Sequence, residues 1–281
     1  MSLAISIRRL GVTFRGGFRG EPVHALKPFD LEIECGTVLG VLGPNGSGKT
    51  TLLRVLAGLQ RQSTGAALVL GRAPSDPSLL RRVGYQPEGP LPLGQLDALS
   101  FLEVCAAMLR MRWSDSRLAA QRLLREFGLD GDSKKRIRAF STGMQKRLAL
   151  AAVLLSEPEL LLLDEPTAGL DPMGSEMVIE KLGGMAANGA TVLLASHDLQ
   201  EVERICSRVV VLESGHLRAE GTLDELLGRE ERRFVVRGLD DEAASRLPAL
   251  VASLGGEVVE CGREREHLYA FYRRLAKGRP T

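Results

Sequence analysis

One stretch constrains this chain more than any other: Gly43-Pro44-Asn45-Gly46-Ser47-Gly48-Lys49-Thr50. It fits the phosphate-binding pattern G-x-x-x-x-G-K-[ST]. Glycines let the backbone curl so that successive N–H groups converge on phosphate oxygens. A helix opening after Gly48 adds its positive N-terminal end. Lys49 is placed to reach the β- and γ-phosphates, and the Thr50 hydroxyl to ligate Mg²⁺. The context is the one such a loop requires. Val38-Leu39-Gly40-Val41-Leu42 reads as a strand covered on both faces. After the loop, Leu52, Val55, Leu56 and Leu59 share one face at helical spacing, and Gly58 lies near the helix end.

A second acidic feature follows much later. Leu160-Leu161-Leu162-Leu163 is a fully apolar strand running into Asp164-Glu165-Pro166. In open α/β sheets ligands bind outside the carboxyl ends of the strands. Asp164 there is suited to holding Mg²⁺ directly or through its waters, and Glu165 to polarising an attacking water. A carboxylate at a strand-to-helix turn also serves as a helix cap, but the upstream phosphate loop favours chemistry.

Further strands are expected at residues 3–14, around Leu31 and Ile33, at Thr191 to Ala195 and at Val209 to Leu212, with a returning strand after Glu213-Ser214-Gly215-His216. Residues 15–22 read as a loop. Between about 95 and 156 the pattern is helical, with Phe101 to Met111 and Ser116 to Phe127 as two amphipathic helices and a third capped by Ser141 and running to Ser156. Strands alternating with helices argue for an α/β fold: a P-loop NTPase core with a mixed or parallel sheet, an inserted helical subdomain and a small α+β C-terminal extension. The expected boundaries are 1–221 for the nucleotide-binding domain, about 89–157 for the insertion and 222–281 for the extension, with strands at 234–237 and 257–260 around a helix.

Composition excludes several alternatives. The longest uninterrupted apolar stretch, from Leu148 to Leu155, has eight residues, against about 20 for a membrane-spanning helix. The first nine residues do not read as a signal peptide. Lys plus Arg is 37 and Asp plus Glu 35, so a net charge of +2 gives no signal for nucleic acid. Of the basic residues 30 are arginine, an excess without a functional account. Cys35, Cys105, Cys206 and Cys261 form no C-x-x-C pair and read as buried or half-buried thiols.

Taken in order, the motifs resemble those of the nucleotide-binding subunit of an ABC transporter over about residues 3–221. Gly43 to Thr50 matches Walker A, Gln86 the Q-loop glutamine, and Phe140-Ser141-Thr142-Gly143-Met144-Gln145-Lys146-Arg147-Leu148 resembles the signature motif. Leu160 to Glu165 matches Walker B, Gly169-Leu170-Asp171 the D-loop, and His197 the switch histidine. The signature commonly reads L-S-G-G-Q; Thr142 and Met144 depart from it in a way similar to type-2 exporter ATPases. Phe14 falls where the family often has an adenine-stacking tyrosine, with Phe18 as its competitor.

The resemblance implies ATP and Mg²⁺ as ligands. Gly43, Asn45, Gly46, Ser47, Gly48, Lys49, Thr50 and Thr51 would bind the nucleotide, and Thr50, Gln86 and Asp164 the metal. Glu165 would orient or deprotonate water, His197 would align it against the γ-phosphate, and Gln86 would sense the nucleotide. Ser141 and Gly143 would close on ATP held by a second subunit, either another copy or a related ATPase, with Asp171 linking the two sites. A separate transmembrane permease, of an exporter, is the implied partner, and the implied place is the cytoplasmic face of the membrane. A soluble ABC ATPase serving a non-transport machine is the alternative. Those proteins usually carry two such domains or a long coiled-coil insertion, and this chain shows neither.

Overall fold

The computed structural model describes residues 2–15, 21–227 and 241–253. Contacts divide the chain into two units, one ending at Leu227 and the other beginning at Gly228.

In the first unit β1 (Leu3–Phe14) pairs antiparallel with β2 (Val23–Glu34). Along β2 the apolar Phe29, Leu31 and Ile33 are buried while Asp30, Glu32 and Glu34 are exposed, the period-2 pattern of a half-covered strand. Next come β3 (Val38–Leu42) and α1 (Lys49–Leu56). The helix is shorter than its apolar spacing suggests. It ends at Ala57, Gly58 turns with φ +73°, and Leu59 is left exposed instead of completing the buried face. β4 (Thr64–Val69) then adds to the far side of β1. The resulting order β2-β1-β4 is a separate antiparallel sheet.

The central sheet is assembled from distant segments. β5 (Val83–Gln86) leads into α2 (Ala98–Met108) and α3 (Trp113–Glu126). Both helices begin three residues before the apolar periodicity does. For α2 the cause is Asp97, whose carboxylate accepts the Ser100 N–H at 2.8 Å. α4 (Thr142–Val153) is capped by Ser141, as expected, and continues as one tight turn through Ser156. β6 (Leu160–Asp164), α5 (Pro172–Ala187), β7 (Thr191–Ser196), α6 (Leu199–Ile205), β8 (Arg208–Glu213), β9 (His216–Thr222) and α7 (Leu223–Leu227) complete the unit.

The strand order is β5-β6-β7-β3-β8-β9. All neighbours are parallel except β8 and β9, a hairpin turned by Ser214 and Gly215, both at positive φ. Every residue of β6 and β7 is buried. Alternate side chains feed two cores. Leu160 and Leu162 face a cluster with β1, β2 and α1, whereas Leu161 and Leu163 face one shared with α2, α3, α4 and α5. The helical insertion therefore has no core of its own; it is continuous with one face of the sheet.

In the second unit α8 (Asp241–Ser253) is a helix, and the expected strands at 234–237 and 257–260 lie outside the described residues. Among the described cysteines, Cys35 is exposed rather than buried; burial pushes the thiols of Cys105 and Cys206 up to about 11 and about 12. No described helix is long and apolar enough to cross a membrane.

Candidate nucleotide site

The parallel strands carry the expected site residues to one edge of the sheet. In register, Gln86 lies beside Leu163, Asp164 beside Ala195, and Leu42 beside Ser196. The carboxyl ends of β5, β6, β7 and β3 thus set Gln86, Asp164, Glu165, His197 and the loop 43–50 along one line.

The loop's conformation depends on glycine. Gly43 has φ +151°, and a Cβ there would lie 2.1 Å from the Leu212 carbonyl oxygen. Gly48 has φ +110°, and its Cβ would meet the Ala25 carbonyl oxygen at 2.6 Å. Behind the loop, the Gly215 N–H donates to the Ser47 carbonyl at 3.1 Å, so the β8–β9 turn braces it. Lys49 is buried at the start of α1, and its Nζ donates back to the carbonyls of Gly43 at 2.7 Å and Pro44 at 3.3 Å. These bonds fold the ammonium across the mouth of the curl. Asn45 and Gly46 are exposed, Ser47 is buried, and Thr50 and Thr51 are half-buried at the first turn of α1.

Asp164 is buried, yet neither of its carboxylate oxygens has a hydrogen-bond partner. Burial raises its pKa, reinforced by Glu88 and Glu165, while the Thr50 hydroxyl and Lys49 act in the opposite direction. Gln86 is equally buried, and its Oε1 is also unpartnered. Buried acceptors left open on one line are what a hard cation or its waters would satisfy, so the donor set fits Mg²⁺.

Glu165 is held from three directions. Its φ is +51°, a left-handed conformation costly for a side chain with a Cβ and more so before proline. Its N–H donates to the Ala195 carbonyl at 2.9 Å. The Lys146 ammonium, on α4, donates to its carbonyl oxygen. Its carboxylate Oε2 lies 2.9 Å from His197 Nδ1. That hydrogen bond raises the His197 pKa above its ordinary value.

The remaining expected residues lie elsewhere. Ser141 Oγ accepts the Met144 N–H at 3.2 Å, capping its own helix. Beside it, a Cβ on Gly143 would be 3.4 Å from Leu170, so the signature start packs against the 169–171 segment of the same chain. Asp171 caps α5 by accepting the Gly174 N–H at 2.9 Å. Phe14 ends β1, 40% exposed, while Phe18 lies outside the described residues. Arg147 pairs locally, donating to the Phe127 carbonyl at 2.9 Å.

Sequence reasoning missed Lys146, Thr167, Ser196 and Glu201. Asp198 and Glu201 have the spacing of a capping box, which would send the Glu201 carboxylate back to the Asp198 N–H. That N–H is instead taken by Ser196 Oγ at 3.0 Å. Glu201 turns inward, accepting from Thr167 Oγ1 at 2.7 Å and Ser196 Oγ at 3.0 Å.

Comparison with known proteins gives the family. Residues 26–168 match the family described as ABC transporter. An uncharacterised ABC transporter ATP-binding protein of Nostoc sp. is 41% identical over 79% of this chain and 67% of its own length. The Nod factor export ATP-binding protein I of Rhizobium meliloti is 38% identical over 82% of this chain and 70% of its own. The chain thus spans about two thirds of the length of these relatives. A solved dimeric ATP-binding cassette in a post-hydrolysis state, bound to ADP and Pi, superimposes with a TM-score of 0.71 at 26% identity, covering 78% of this chain and 98% of that one. With loop, carboxylates and histidine aligned on one sheet edge, this chain is an ATPase and belongs to the ABC transporter ATP-binding family.

Proposed function

We propose that this chain is the ATP-hydrolysing subunit of an exporter, powering a separate transmembrane permease from the cytoplasmic face of the membrane. The observation that carries the reading is the Glu165–His197 pair at 2.9 Å, placed on the same strand edge as the phosphate loop and the open carboxylate of Asp164. Support for export comes from the similarity to a protein named for Nod factor export.

The loop residues 43–51 bind the ATP phosphates, and Phe14 stacks on the adenine. Thr50, Gln86 and Asp164 would hold Mg²⁺, which when bound neutralises charge developing on the phosphoryl oxygens. Glu165 accepts a proton from, or orients, the attacking water, and His197 aligns that water against the γ-phosphate. Little covalent chemistry is asked of the protein; positioning and electrostatics carry the transfer. Ser141 and Gly143 sit at the N-terminus of α4, where free N–H groups favour an anion. In a head-to-tail pair of subunits they close on ATP bound by the partner, with Asp171 bridging the two sites. Each subunit supplies both halves, so a second copy suffices.

The test is Glu165→Gln in the full chain at saturating ATP and Mg²⁺. Light scattering should show a stable dimer retaining ATP, with turnover nearly abolished. A monomer that hydrolyses ATP at the parent rate refutes the assignment of Glu165.

A further inference from the structure

We propose that Glu201 is a positioning residue for hydrolysis: its carboxyl ties Thr167 to Ser196 and so fixes the spacing of Glu165 and His197. The inference rests on the reading of those two residues as the hydrolytic pair.

Glu201 is 5% exposed, on α6 beneath the sheet edge. A single oxygen, Oε2, accepts both hydroxyls, from Thr167 Oγ1 at 2.7 Å and Ser196 Oγ at 3.0 Å. Thr167 stands two residues after Glu165, and Ser196 one residue before His197. The tie therefore joins the exits of β6 and β7, the two strands that deliver the pair. On the other side of His197, Asp198 closes the arrangement. Its N–H donates to Ser196 Oγ, and its carboxylate accepts the N–H groups of Gln200 at 2.9 Å and Glu201 at 3.3 Å. The backbone is thus pinned at residues 196 and 198, leaving the 65% exposed imidazole of His197 aimed by its own chain.

The network is not explained by stability alone. Burial raises the pKa of Glu201, and its second oxygen, Oε1, has no partner. A buried carboxyl with one oxygen unsatisfied is a costly way to pack a helix against a strand; an apolar residue would do that at lower cost. What the carboxyl adds is a further link between the two strand exits, beside the Glu165 N–H bond to the Ala195 carbonyl and the Glu165–His197 pair itself. Glu165 itself sits at φ +51°, a conformation that persists only when its surroundings over-determine it.

The experiment compares Glu201→Ala, Glu201→Gln, Thr167→Val and Glu165→Gln in the full chain. It reads kcat, ATP affinity and the NMR titration of the His197 imidazole. Glu201→Ala should lower kcat about tenfold with ATP affinity within about twofold, the split expected when a lost interaction acts on positioning and not on ground-state binding. Its His197 midpoint should fall towards that of Glu165→Gln. Glu201→Gln keeps an oxygen for both hydroxyls and should recover most of the lost kcat. Thr167→Val preserves volume and removes one donor, so it should show a smaller loss in kcat with the same unchanged affinity; it decides the matter should Glu201→Ala fail to fold. Parent kcat in Thr167→Val or a folded Glu201→Ala overturns the proposal. So does a loss of affinity equal to the loss of kcat, or a Gln variant as poor as the Ala one. If Glu165→Gln is inactive and Glu201→Ala is not, only the present inference fails; if Glu165→Gln turns over normally, the hydrolytic reading beneath it fails.

Discussion

Replacing Lys146 by methionine removes one ammonium and keeps the length and apolar bulk of the side chain. The structure allows the consequence to be worked out. Lys146 donates to the carbonyl of Glu165, and burial lowers its pKa, so the charged form is already disfavoured where it stands. Losing a hydrogen bond from a half-buried cation costs about 1–2 kcal/mol, and relieving its desolvation returns a similar amount, so stability should change by less than about 1 kcal/mol. For a unit of this size that is a melting shift within about 4 °C in either direction. Activity should respond differently. The left-handed backbone of Glu165 lies about 1–2 kcal/mol above an ordinary conformation. Without the Lys146 bond that strain is opposed only by the Ala195 and His197 contacts, and the competent geometry loses ground to relaxed ones by up to that amount. Turnover should drop about 5- to 30-fold at saturating ATP, with nucleotide affinity within about twofold. Phosphate release gives kcat, titration calorimetry gives affinity, and a melt confirms folding. A folded Lys146→Met protein with kcat within twofold of the parent would refute the claim that α4 holds Glu165 in place.

Two further outcomes follow from the same edge. Lys49→Ala removes the ammonium folded across the loop and should weaken ATP binding by about 10- to 100-fold, as calorimetry will show; unchanged affinity would reject the loop assignment. The His197 imidazole should titrate above its ordinary value of 6.5, and Glu165→Gln should bring it back, as read from its ring protons by NMR. Because the folded pKa is the raised one, the contribution of the pair is complete below 6.5 and is lost as pH rises through the raised value. A midpoint that does not move in Glu165→Gln would show that the pair does not form in solution.

The readable parts of the sequence were those in which local pattern and global placement coincide. The strand-loop-helix around Lys49 could be read because glycine spacing, an apolar run and helical periodicity meet within about twenty residues. β6 and β7 could be read because strands buried on both faces are apolar throughout. β4 could not: Thr64-Gly65-Ala66-Ala67-Leu68-Val69 buries only Ala67 and Val69 and owes its existence to pairing with β1. β5 has four residues, too few to show a period, and is fixed by β6 beside it. Leu59 obeyed the helical spacing, but Gly58 had already ended the helix. In the site, residue types announced Lys49, Asp164, Glu165 and His197, whereas Lys146 and Glu201 matter through partners 19 and 34 positions away, a proximity that only the fold creates. Asp171 and Ser141 resemble interface residues in sequence, and within this chain their side chains are occupied as helix caps.

The position of β3 bears on how the protein is made. The strand that carries the phosphate loop comes early in the chain, but its two neighbours in the sheet are β7 and β8. The turn that braces the loop, at Gly215, comes later still. During synthesis, β3 therefore has no neighbour to join until about 150 further residues have brought β7, and about 170 have brought β8 and the turn that braces the loop. The phosphate loop is therefore a product of the completed sheet and not of the strand and helix that flank it.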